Sequence, residues 1–168
     1  VDVARAARFN DLVVLLGASG TGKTHTARQV HQLSGRRGPF VAVNCAGLPQ
    51  DAVQLEARFH GAPKGAYTGQ VQAVLGMFRQ AHHGTLFLDE VESLPETAQG
   101  FLLDALDGAR SFRPLNAAAE EGPFDFRIIV ATKQRLLETR LRSDLANRLG
   151  NGVVITVPSL ASRLEDIP

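Results

Sequence analysis

The chain has 168 residues, 44% of them hydrophobic and 21% charged, with a net charge of +1. That length fits one domain able to bury about two-thirds of its unfolded surface. No apolar run approaches the ~20 residues of a membrane span, no signal-peptide pattern opens the chain, and the charge balance gives no footprint for nucleic acid.

In chain order, the first apolar run is LVVLL (12–16), a predicted strand, and KTHTARQVHQL (23–33) follows as a helix. The helix places Ala27, Val30 and Leu33 on one face, with Gly35 as a stop. FVAV (40–43) is the second strand, and DAVQLEARF (51–59) a helix that starts at an Asp51 cap and groups Ala52, Leu55 and Phe59. The glycines and proline of GAPKGAYTGQ (61–70) exclude helix and sheet pairing, which leaves Tyr67 and Thr68 at the tip of a loop. TLFLD (85–89) is a strand, and PETAQGFLLDALDG (95–108) a helix with proline at its start and glycine at its end. NAAAEEG (116–122) reads as a hairpin or loop, RIIVAT (127–132) as a strand, SDLANRL (143–149) as a helix capped by Ser143, and VVITV (153–157) as the last strand. The apolar runs are continuous rather than alternating, as in a parallel sheet covered on both faces. Strand alternating with helix predicts an α/β fold with right-handed crossovers. No internal repeat is present.

Two compositional details narrow the chemistry. The single cysteine, Cys45, excludes an internal disulfide and suits a reducing cytoplasm. Fifteen arginines stand against three lysines, Lys23, Lys64 and Lys133. Where arginine supplies generic charge, a lysine points to use as a compact cation.

Lys23 lies in GASGTGKT (17–24), the full G-x-x-x-x-G-K-[ST] pattern, between a strand and a helix as its mechanism requires. Gly17, Gly20 and Gly22 let backbone N–H groups converge on phosphate oxygens, and the helix N-terminus adds partial positive charge. Lys23 would reach the β- and γ-phosphates and Thr24 would ligate Mg²⁺. The expected nucleotide set is Gly17, Ala18, Ser19, Gly20, Thr21, Gly22, Lys23, Thr24 and His25, with ATP and Mg²⁺ as ligands. GTLFLDE (84–90) supplies the acidic half: Asp89 to hold the metal and Glu90 to polarise the attacking water. The adjacent acid favours hydrolysis over transfer to a small acceptor.

Together with VNCAGL (43–48), KGAYTG (64–69), FRIIVAT (126–132), LRSDLANRL (141–149) and RLEDIP (163–168), in that order, these motifs resemble the AAA+ domain of bacterial enhancer-binding proteins, the activators of sigma-54 RNA polymerase. The resemblance covers nearly the whole chain from Leu12. It implies a five-stranded parallel AAA+ core in strand order 5-1-4-3-2. It also implies a homo-oligomeric ring, expected as a hexamer, with DNA reached only through a domain outside this chain. GAYTGQ matches the family's G-A-F-T-G-A loop, so Gly65, Ala66, Tyr67, Thr68 and Gly69 would contact sigma-54. Asn44 matches the asparagine that would pair with Glu90 and restrain it. Arg142 and Arg148 match two arginines that reach the neighbouring subunit's nucleotide.

The departures are specific. Lys133 stands where the family has an asparagine that senses the γ-phosphate; it joins the expected nucleotide set as a cation that could bind phosphate but could not orient water as an amide does. Gln70 replaces the final alanine of the loop signature, and HGAPK (60–64) replaces F-G-H-E-K, so His60, Ala62 and Pro63 are unusual. The family continues beyond Pro168 into a helical lid, so residues 1–168 read as the α/β part of a longer, cytoplasmic regulator. The functional expectation is an ATP-hydrolysing activator of sigma-54 RNA polymerase. The alternative is a diverged nucleotide-binding switch that hydrolyses ATP poorly or no longer engages sigma-54. A small-molecule kinase would need an acceptor site, and no segment resembles one.

Overall fold

The computed structural model describes residues 3–8 and 12–158. The RLEDIP motif lies outside the described residues.

Five parallel strands form one sheet: β1 (Val13–Leu16), β2 (Phe40–Asn44), β3 (Thr85–Asp89), β4 (Arg127–Thr132) and β5 (Val153–Thr156), in the order β2-β3-β4-β1-β5. This is the expected order. Period-two side-chain alternation divides the strands between two cores. Val13, Leu15, Phe87, Ile129, Ala131 and Ile155 pack on Ala6 of α1 (Val3–Arg8) and on Ala27 and Val30 of α2 (Lys23–Leu33). Val14, Leu86, Leu88, Ile128 and Val130 face the other side. There they meet α3 (Ala52–His60), α4 (Met77–Gln80), α5 (Glu96–Leu106) and α6 (Ser143–Gly150), through Leu55, Phe59, Phe78, Leu102, Leu145 and Leu149. All six residues of β4 are buried, which a doubly covered inner strand requires.

The edges differ from expectation. Among the described residues β2 and β5 have only one neighbour each, and Ala42, Asn44 and Val154 are exposed. Leu33 is exposed as well. Each step of three residues falls ~60° short of a full turn, so Leu33 has rotated ~120° from Ala27 and leaves the buried face. Ala52 is exposed where the chain enters α3 from exposed Gln50 and Asp51, and Ala57 takes a buried place instead. Asp51 does cap that helix, accepting from Gln54 N at 2.9 Å. Ser143 does not act as a cap: it is the first residue of α6, and the preceding Arg142 makes no side-chain cap bond. The N-terminal charge is met by Asp144, whose carboxylate accepts from Leu145 N at 2.7 Å.

The segment between α3 and α4 leaves the core through a narrow neck. Ala62 and Val74 exchange backbone bonds of 2.9 and 2.8 Å, and a Cβ on Gly76 would stand 2.4 Å from the carbonyl carbon of His60. The 116–122 patch is a turn closed by an antiparallel bridge between Phe112 and Glu121, with Asn116 at φ 57°. Its Asn116 Nδ2 donates to Ala66 O at 2.6 Å and so braces the tip of the neighbouring loop.

Candidate nucleotide site

Parallel strands deliver their C-terminal ends to one rim of the sheet, and the candidate residues follow directly from those ends. β1 runs into Gly17, whose N–H donates to Thr132 O at 3.1 Å and so ties the glycine loop to the end of β4. Leu16 is in register with Thr132, and Asn44 with Asp89. Gly17–Thr24, Asn44, Asp89, Glu90 and Lys133 are thereby gathered along one rim.

The loop is built for an anion. Gly20 and Gly22 take φ +78° and +89°, the left-handed region where a side chain is strained. A Cβ on Gly17 would lie 2.6 Å from Val157 O, so the close approach of the chain after β5 also requires glycine there. α2 begins without a side-chain cap or an acidic residue in its first turn, so no side chain caps its first N–H groups. Lys23 is buried, and its Nζ donates to Gly17 O and Ala18 O at 2.8 Å each. The ammonium is thus folded onto the loop that surrounds it. Ala18, Ser19, Gly20, Thr24 and His25 are exposed around the hollow. These features fit a polyphosphate. Thr24 and Asp89 offer the hard oxygens that Mg²⁺ takes, with phosphate oxygens and water to complete its shell. Among the described residues no group of three or more His, Cys, Asp or Glu is placed to hold a metal ion.

The acidic turn after β3 is held in an uncommon conformation. Glu90 adopts φ 53° and ψ 49°, rare for a residue other than glycine. Its N–H donates to Asp89 Oδ1 at 2.9 Å, and its carbonyl accepts from Ser93 N at 2.8 Å. Both bonds fix the backbone and leave the side chain free to rotate. The carboxylate meets Lys133, with Nζ 2.9 Å from Oε1. That hydrogen bond is the first cause of the rise of the Lys133 ammonium above its ordinary pKa. The Lys133 backbone is held in turn, its N–H donating to Glu92 Oε1 at 3.3 Å. The expected pairing of Asn44 with Glu90 is not the one found. Asn44 Oδ1 accepts from Ala46 N at 2.9 Å and caps the short turn Cys45–Gly47. A lysine reaches further than an amide, and it occupies the partner's place. Beneath these acids lies Cys45, whose thiol is pushed up to about 12 by burial, then by the charges of Asp89, Glu92 and Glu90. It stays protonated and packs as a small apolar group.

Arg142 and Arg148 are each engaged by a carboxylate of their own chain. Arg142 Nη2 lies 2.6 Å from Asp144, and Arg148 Nε lies 2.9 Å from Asp107 at the end of α5. Arg148 also shares a cleft with Leu12 and Gly152, residues at the opposite ends of β1 and β5. One supporting residue gave no sequence signal. Buried Gln99 donates to Leu94 O at 3.1 Å and accepts from Arg142 N at 2.8 Å, so α5 sets where Arg142 leaves the core.

The GAYTGQ tip is a succession of turns, with Gln70 N donating to Tyr67 O at 3.1 Å and Gly65 N to Gln70 O at 3.2 Å. Tyr67 is half-buried and Thr68 exposed. The tip is carried by the neck between α3 and α4, away from the glycine loop in sequence.

Comparison with known proteins agrees with this fold. The family model described as the sigma-54 interaction domain matches residues 1–155. The transcriptional regulator VasH of Vibrio cholerae is 43% identical over 170 residues, covering 98% of this chain and 31% of that protein. The crystal structure of NtrX from Brucella abortus aligns with a TM-score of 0.83 at 35% identity, over 99% of this chain and 37% of that one. NtrX in complex with ATP aligns at 0.80 and 34% identity, with coverage of 99% and 37%. The chain thus spans about a third of the length of such relatives.

Proposed function

The chain belongs to the sigma-54 interaction domain family, with the sheet of an AAA+ P-loop NTPase, and on that footing we propose that it binds ATP with Mg²⁺ and hydrolyses it to act on sigma-54 RNA polymerase. The observation that carries this reading is the meeting of the glycine loop and its buried Lys23 with Asp89 and Glu90 at one rim of the sheet. In the proposed mechanism the loop N–H groups and Lys23 bind and orient the polyphosphate. Thr24 and Asp89 would hold Mg²⁺, which would supply positive charge against the phosphate oxygens. Glu90 takes a proton as the water oxygen bonds to the γ-phosphorus and the bond to the ADP oxygen breaks. The products are ADP and inorganic phosphate.

Asn44 acts beside this site by shaping the turn under Glu90. Arg142 and Arg148 serve the nucleotide of an adjacent subunit in a homo-oligomeric ring, which requires each to leave its own carboxylate. Residues 65–69 deliver the output: Tyr67 offers a partner apolar area at small entropy cost, and Thr68 lies exposed beside it.

A second reading, a switch that binds nucleotide and turns it over slowly, is favoured by the Lys133–Glu90 ion pair, which occupies the base. Phosphate release by the full-length regulator separates the two. The hydrolase reading expects multiple turnovers that Glu90→Gln abolishes; ATP binding without turnover would replace it with the switch.

A further inference from the structure

We propose that Lys133 is a latch on Glu90 that opens for ATP and stays shut for ADP: without a γ-phosphate its ammonium holds the carboxylate, and a γ-phosphate draws it off. The inference rests on the nucleotide reading above and adds to it a positioning residue that measures the length of the phosphate chain.

The geometry makes the latch a matter of two side chains. Both backbones are pinned: Glu90 by its bonds with Asp89 and Ser93, Lys133 by its bond to Glu92. The ion pair itself is 2.9 Å long, with side chains 37% and 27% exposed, so water competes for both ends. Such partly exposed pairs are weak and open readily. A terminal phosphate carries more charge than one carboxylate and is the stronger partner for an ammonium. Lys133 follows directly from β4, the strand whose end is bonded to the glycine loop through Gly17 N and Thr132 O, and so it stands beside the phosphate hollow. The same movement therefore senses ATP and frees the Glu90 carboxylate to meet water. With Asn44 engaged by Ala46, Lys133 is the residue that holds Glu90 in this structure.

A binding cycle tests the latch without reading turnover. Affinities of the full-length regulator are measured for ADP and for the β,γ-imido analogue of ATP, which keeps the γ-phosphate and is not hydrolysed. Four forms are compared: wild type, Glu90→Gln, Lys133→Met and the double variant. If binding must break the pair, Glu90→Gln tightens the analogue by an extra factor of roughly two to five in the Lys133 background over the Met background. ADP should show no such coupling, and Lys133→Arg, which keeps the pair, should restore it for the analogue. An equal effect of Glu90→Gln in both backgrounds, with nucleotide still bound, overturns the latch alone. Failure of wild type to bind either nucleotide would overturn the nucleotide reading itself, and the latch with it.

Discussion

The Arg148 guanidinium is held by the end of the preceding helix of its own chain, with Nε 2.9 Å from Asp107 Oδ1 and Nη2 donating to Leu106 O at 2.8 Å. If Arg148 works on a neighbouring subunit's phosphate, this pair competes with assembly. The pair is partly exposed and worth about 0.2–1 kcal/mol. Asp107→Asn should therefore raise turnover of the full-length regulator at low subunit concentration by roughly two- to five-fold. Arg148→Ala should lower it by roughly 10³. Turnover per subunit that is fast and unchanged on dilution would refute action in trans.

Lys23 supplies two bonds to loop carbonyls besides its expected role towards phosphate. Lys23→Ala should abolish measurable nucleotide binding and lower stability by roughly 1–3 kcal/mol, since both acceptors lose their donor. Glu90→Gln should keep binding and stop turnover. Calorimetric titration with ATP, alongside phosphate release, reads both. Retained hydrolysis in either variant would mean that the site has been misplaced.

The loop tip should act on its partner without a phosphate contact of its own. In protein trapped with a transition-state analogue of ATP, Thr68→Ala and Tyr67→Ala should lose co-migration with sigma-54. Tyr67→Phe should keep it, because only a hydroxyl is removed. Since residues 67 and 68 contribute little to the core, melting should shift by no more than roughly 0.5 kcal/mol. Absence of co-migration for wild type would sink the partner assignment.

His60 sits among Phe78, Phe101 and Phe112, with ring centroids 5.7, 4.5 and 5.1 Å away, and its Nε2 is buried with no hydrogen-bond partner among the described residues. Burial lowers its pKa from 6.5 to about 4. Between those values the unfolded chain binds the extra proton, so this stabilising contribution is full above the upper value and is lost as pH falls towards the lower one. His60→Phe removes the titrating group from an aromatic setting. Melting at pH 7 and pH 5 should show a smaller acid-induced loss in the variant. An equal loss in both proteins would exclude His60 as its source.

At the loop's neck, a Cβ on Gly76 would lie 2.5 Å from Gly61 N, a backbone atom with nowhere to retreat. Gly76→Ala should lower stability by roughly 1–3 kcal/mol. It should also speed limited proteolysis between residues 63 and 73, because the Ala62–Val74 bonds must spread. A wild-type melting point and cleavage rate would show that the neck accommodates a methyl group.

The strands were legible because each inner strand is a short apolar run next to a helical pattern, whereas their order followed only from the family resemblance, since no local pattern says which strands pair. The glycine loop was legible for a local reason: its conformation is written in consecutive residues. What escaped notice depends on distance in the chain. Glu90 and Lys133 are contiguous only through the pairing of β3 with β4, and neither residue type alone announces an ion pair. Gln99 and Asn116 are ordinary polar residues whose roles come from bonds to segments far away in sequence, Arg142 and Ala66. Leu33 shows the limit of apolar spacing, since a repeat of three drifts around the helix and carries its last member into solvent.

β1 is the first strand in the chain, yet it lies between the last two, so that Val13 pairs with Ile129 on one side and Val153 on the other. During synthesis at about 5–20 residues per second, this apolar segment waits roughly 6–23 seconds for β4. Throughout that interval the glycine loop exists as sequence without the Thr132 carbonyl that anchors it. A nascent chain halted before Arg127 would carry the whole phosphate motif and have no rim on which to build it. Assembly of the rim is therefore a late event in folding, and β1 stays without its β4 ladder until residues 127–132 arrive.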